Sequence, residues 1–125
     1  MDSLSPNIFV TNMNETIAFY RLIGFEVIMT VPETGPDFVW AMMLNGGVTF
    51  MFQTFVSLGD DLPEISRNNG ASLLLYIKLK KIRVFFDLIK DKVMVLKPLE
   101  TTFYGATEFS ILDNNNYVLT FAEDE

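Results

Sequence analysis

Apolar and polar positions alternate along much of the chain, and the period changes in a regular order. "NIFVTN" alternates and is rich in β-branched residues, predicting a strand from Asn7 to Thr11. Asn12 then stands where a helix cap is needed, with Glu15 at the third helical position. Ile17, Tyr20 and Ile23 recur at helical spacing, and Gly24 suits the C-terminal stop. "FEVIMTV" predicts a strand, "VPETGPD" a loop, and "FVWAMML" and "VTFMFQT" a hairpin around "NGG".

The polar segment "LGDDLPEISRNNG" divides the chain and has room for one helical turn. After it "SLLLYIKL" predicts a strand, and "IRVFFDLIK" puts Ile82, Phe85, Phe86 and Ile89 on one helical face. "VMVLKP" and "ATEFSIL" read as strands, and "DNNN" supplies residues that tolerate positive φ before the strand "YVLTFAE".

Both halves therefore read βαβββ. A shift of 67 places Val10 on Ile77, Phe19 on Phe86 and Leu22 on Ile89, and a shift of 69 places Phe52 on Phe121 and Met51 on Thr120. Identity between the halves is low, so the repeated order of elements carries the duplication. The expected class is α+β: a single domain over residues 1–125, with module one at 1–54, a connecting segment at 55–70 and module two at 71–125.

Composition narrows the chemistry. A formal charge of −7 with nine Lys and Arg argues against nucleic acid, whose phosphates require clustered cations, and favours a cationic ligand if any charged one. No apolar run approaches membrane-spanning length, and "MDSLSPN" carries no secretion signal, so a cytoplasmic protein is expected. The chain has no histidine and no cysteine. Ser-His and Cys-His catalysis are thereby excluded, and a metal site would need carboxylates and carbonyls.

Two βαβββ modules, with "VTNMNETIAFYRLIGFEV" opening the first and "EFSILDNNNYVLTFAE" closing the second, resemble the vicinal oxygen chelate superfamily of glyoxalase I, extradiol dioxygenases and bleomycin-resistance proteins. The resemblance covers essentially the whole chain. It implies curled mixed sheets, helices on their convex sides and a ligand cavity on the concave sides. It also implies a homodimer with two cavities.

Alternation then assigns faces. Thr49, Met51 and Gln53 point inward and Phe50 and Phe52 outward; Ser72, Leu74 and Tyr76 point inward, as do Thr120 and the pair Glu108 and Ser110. Metal-dependent relatives carry His, Glu or Gln ligands at four inward positions, which by this resemblance fall on Ser5, Met51, Ser72 and Thr120. None is a strong ligand for a divalent ion, although a thioether suits soft metals. The resemblance thus implies a metal-free member without a cofactor.

The residues expected to line the cavity are Ser5, Trp40, Met42, Thr49, Met51, Gln53, Ser72, Tyr76, Tyr104, Glu108 and Thr120. Trp40 and the tyrosines offer flat faces for an aromatic or cationic ligand, and Met42 and Met51 suit an adaptable apolar pocket. Each also has a plainer role open to it. Thr120 is a good strand former, the methionines could be core, and Glu108 could be a solvated carboxylate. Glu108 is the one candidate acid, base or cation partner. Three functions follow: a metal-free protein that binds or sequesters a small molecule, a glyoxalase-like lyase or isomerase with an atypical or absent metal using Glu108, and an interaction domain whose cavity is filled by its own side chains.

Overall fold

A computed structural model describes all residues from Met1 to Glu125. The chain forms two compact units, Met1–Asn69 and Gly70–Glu125. The first contains β1 (Asn7–Val10), α1 (Met13–Leu22), β2 (Glu26–Val31), β3 (Trp40–Asn45), β4 (Val48–Thr54) and the short α2 (Phe55–Leu58). The second contains β5 (Leu74–Lys78), α3 (Ile82–Ile89), β6 (Met94–Thr101), β7 (Ala106–Leu112) and β8 (Val118–Asp124). The sheet orders are β1-β4-β3-β2 and β5-β8-β7-β6. In each, the first and last strands pair in parallel and the others antiparallel, so both sheets are mixed and have the same topology. The duplicated βαβββ order expected from the sequence is present.

In the first unit α1 starts where Asn12 Oδ1 accepts the Glu15 N–H at 3.0 Å, satisfying one of the donors that a helix start leaves unpaired. It ends at Gly24, whose φ of +102° disfavours a side chain. The helix lays Tyr20 against the sheet, with ring centroids 5.6 Å from Phe25, 5.6 Å from Phe50 and 4.7 Å from Phe52. Val10, Ala41, Met43 and Phe52 on this side of the sheet are completely buried. α2 opens the connecting segment directly after β4, at the start of the stretch that had room for one helical turn. Thr54 caps it by accepting the Ser57 N–H at 3.1 Å. The loop that follows is gathered by one side chain: the Arg67 guanidinium donates to the carbonyls of Gly59, Asp61, Leu62 and Ile65.

In the second unit α3 packs Phe85 and Phe86 on Phe109 and Phe121, at centroid distances from 4.9 to 6.0 Å. Its N-terminus has no local side-chain cap, and Lys81 adopts φ +58°. Glu123 at the end of β8 serves instead, its two carboxylate oxygens accepting the N–H of Lys81 at 3.0 Å and of Ile82 at 3.1 Å. β6 runs past Pro98 to Thr101, longer than the pattern suggests. It is an edge strand with two register shifts, which is where a sheet accepts a proline. The β7–β8 hairpin closes on Asp113, whose Oδ1 accepts the N–H of Asn115 and of Tyr117, each at 2.8 Å. Asn116 takes the left-handed φ of +64° that the asparagine run was expected to provide.

Candidate functional site

Register fixes which side chains share the face turned away from the helix. In the second unit Thr120 lies opposite Tyr76 on β5 and opposite Ser110 on β7, while Ala122 lies opposite Glu108. Ser110 and Thr120 are both buried and their hydroxyls bond to each other at 2.8 Å. Thr120 therefore has a partner hydroxyl beside it on the sheet.

Beside that pair stands the one concentrated polar cluster on this face. Tyr76 reaches across β8 and donates its hydroxyl to Glu108 Oε2 at 2.5 Å. Tyr104, in the turn between β6 and β7, donates to the same oxygen at 2.5 Å. Gly105, at φ +83°, lets the chain double back so that Tyr104 points along β7. Three residues singled out separately in the sequence thus meet at one carboxylate. The hydrogen bond to Glu108, followed by burial and the carboxylate charge, pushes both phenols above the ordinary tyrosine range. Each therefore remains a proton donor at neutral pH, and Glu108 Oε1 is left for another donor. Phe103, fully exposed, sets its ring edgewise on Tyr104 at 5.1 Å. On β6, opposite this part of β7, Lys97 and Glu100 pair with each other at 3.2 Å.

In the first unit the corresponding face carries Met42 opposite Met51, Trp40 opposite Gln53, and Leu44 opposite Thr49. Asn7 donates to Gln53 Oε1 at 3.0 Å, while its own Oδ1 is buried and has no protein partner. Sequence reasoning missed Asn7 and also Met29, which lies opposite Met42.

Ser5 and Ser72 are exposed and precede β1 and β5, so neither joins a ladder. The residues actually beside Met51 and Thr120 are Asn7 and Tyr76. The expectation that Ser5 and Ser72 share the inward positions with Met51 and Thr120 is corrected on this point: the first strands follow the same shift of 69 as the last ones, so Asn7 corresponds to Tyr76 as Met51 does to Thr120. The corrected set of an amide, a thioether, a phenol and a hydroxyl still does not fit a divalent ion, because no member brings the negative charge or imidazole that such ions require. No group of three or more acidic residues is arranged to hold a metal elsewhere.

This topology, repeated βαβββ with parallel outer pairing, is the glyoxalase/bleomycin-resistance fold. Solved structures share it over nearly the full chain. A glyoxalase/bleomycin resistance protein/dioxygenase family enzyme from Burkholderia phytofirmans is 19% identical, with a TM-score of 0.77 and 97% of each chain covered. A bleomycin resistance determinant encoded on transposon Tn5 is 19% identical with a TM-score of 0.69, covering 100% of this chain and 99% of that one. A bleomycin-binding protein in complex with bleomycin is 19% identical with a TM-score of 0.65, both chains being fully covered. At this identity the likeness is one of fold. No family model and no curated protein matches the sequence. No helix is long and apolar enough to cross a membrane.

Proposed function

We propose that this chain is a binding protein that captures a small organic cation carrying an aromatic or apolar body, without divalent-metal chemistry. The observation that carries the reading is the carboxylate of Glu108 held by Tyr76 and Tyr104. Two phenol donors fix its orientation, two rings offer faces to a cation, and Oε1 is left to accept from an ammonium or guanidinium. The chain's charge of −7 draws such ligands toward it. The alternative, a hemithioacetal isomerase, needs an ion to polarise a carbonyl or enediolate oxygen, and the amide, thioether, phenol and hydroxyl here do not suit one. The bleomycin-binding neighbour lends support by analogy of fold.

The decisive experiment is calorimetry with metal-free bleomycin and a series of alkylammonium and alkylguanidinium compounds on the wild type and Glu108→Gln. The expected result is saturable binding by at least one cation, weakened about tenfold or more by the substitution. Equal binding by both proteins, or no binding by any cation, overturns the reading.

We further propose that the two units act as one domain and that chains associate as homodimers. Exposed apolar side chains along sheet edges support this, namely Ile28 on β2 and Leu73 and Leu74 at β5. Light scattering that returns a monomer mass at micromolar concentration would refute the dimer.

A further inference from the structure

Seven methionines and one tryptophan are present in a chain with no histidine or cysteine, so its soft ligands are thioethers alone. Their placement is uneven. Met13 and Met43 are buried in the first unit's core, at 4% and 0% exposure, Met1 is terminal, and Met94 is in the second unit. The other three stand in one row. Met29 on β2 lies opposite Met42 on β3, and Met42 lies opposite Met51 on β4. All three share the face away from α1, because their strand neighbours Ala41, Met43, Phe50 and Phe52 fill the core beneath the helix.

The row is aligned by a fault in the sheet. Val27 pairs with Met43, but the register then shifts and Met29 pairs with Met42. Without that shift Met29 would point toward the opposite face. Met29 is 56% exposed, and Met42 and Met51 are partly exposed, so an ion can reach the row. Trp40 is two residues from Met42 on the same face, diagonal to both Met29 and Met51. Asn7 ends the row on β1 with an amide, so the soft set stops at three.

The geometry points to a soft-metal site in which Met29, Met42 and Met51 hold one Cu(I) or Ag(I) ion through their thioethers, beside the indole of Trp40. Directly opposite residues have Cβ atoms about 4.5–5.5 Å apart, and the three rotatable bonds of methionine let the outer two lean over the central one. Thioether sulfur is selective for such ions and a poor ligand for the hard divalent ones. A cation bound there faces the indole, which adds attraction from the ring. The inference is independent of ligand binding at Glu108, which belongs to the second unit.

The test is titration of the full chain with silver nitrate in chloride-free buffer, followed by Trp40 fluorescence and by NMR of methionine methyl groups. Expected are saturation at one equivalent, a change in Trp40 emission, and shifts of the Met29, Met42 and Met51 methyls. Met42→Leu, which keeps the apolar volume and removes the sulfur, should weaken binding about tenfold or more, whereas Met94→Leu should not. Met29→Leu, at an exposed edge where folding is not at stake, gives the same readout should Met42→Leu fail to fold. No saturable response, shifts confined to Met1 or Met94, or unchanged affinity in a folded Met29→Leu or Met42→Leu protein overturns the site.

Discussion

Ser110 and Thr120, opposite each other on β7 and β8, satisfy one another at 2.8 Å in a buried position. Removing one hydroxyl leaves the other without this partner, at a cost of about 1–3 kcal/mol, whereas removing both should cost less than the sum of the parts. Urea unfolding of Ser110→Ala, Thr120→Val and the double variant checks this. Additive effects would mean the two hydroxyls are not coupled.

The clamp on Glu108 makes a spectroscopic prediction. Tyr76 and Tyr104 are both pushed above the ordinary tyrosine range, chiefly by their hydrogen bonds to Glu108. In ultraviolet titration they should ionise later than free tyrosine. In Glu108→Gln both should move back down, because the charge and the strong acceptor are gone. Unchanged titration in that variant would contradict the clamp.

Phenylalanine at the same positions separates ring from hydroxyl. Tyr76→Phe and Tyr104→Phe keep the aromatic faces but release the carboxylate, and each should weaken organic-cation binding by roughly threefold to tenfold. Calorimetry against the cation that the wild type binds provides the comparison. A loss equal to that of Glu108→Gln from either change alone would show that orientation, rather than charge, dominates.

Glu123 ties acid stability to α3. Its carboxyl is held below the usual glutamate range, first by the N–H of Ile82 and then by that of Lys81. A depressed folded-state value means the stabilisation is present above the unfolded value and disappears as pH falls through the folded one. Glu123→Gln should therefore lower the melting temperature at neutral pH and flatten its decline on acidification. Thermal melts from pH 3 to 7 measure both, a range chosen to bracket the unfolded value near 4.3.

Two glycines should differ in their tolerance of a side chain. A Cβ on Gly70, at φ +86°, would meet the backbone oxygen of Asn116 at 2.9 Å, and the hairpin holds that oxygen in place. A Cβ on Gly24, at φ +102°, would meet the end of the Asn45 side chain at 2.9 Å, which can turn aside. Gly70→Ala should cost about 2–3 kcal/mol and Gly24→Ala about 1 kcal/mol by denaturant unfolding.

Much of this protein was legible before any folding was considered. Strand side chains alternate with a period of two, so the pattern alone put Phe50 and Phe52 on one face and Thr49, Met51 and Gln53 on the other. Caps and turns are local, and Asn12 and the Asp113 to Asn116 turn could be read from neighbours a few residues away. Register is not local. Which residue stands beside Met51 or Thr120 depends on how strands far apart in sequence slide against one another, and a slip of two residues in the first unit and four in the second substitutes Asn7 for Ser5 and Tyr76 for Ser72. The same limit hid the meeting of Tyr76 and Tyr104 at Glu108, which spans three strands and a turn, and the methionine row, which a shift of register within β2 brings into line. Sequence periodicity fixes what each face is made of; only the paired sheet decides which of those side chains touch.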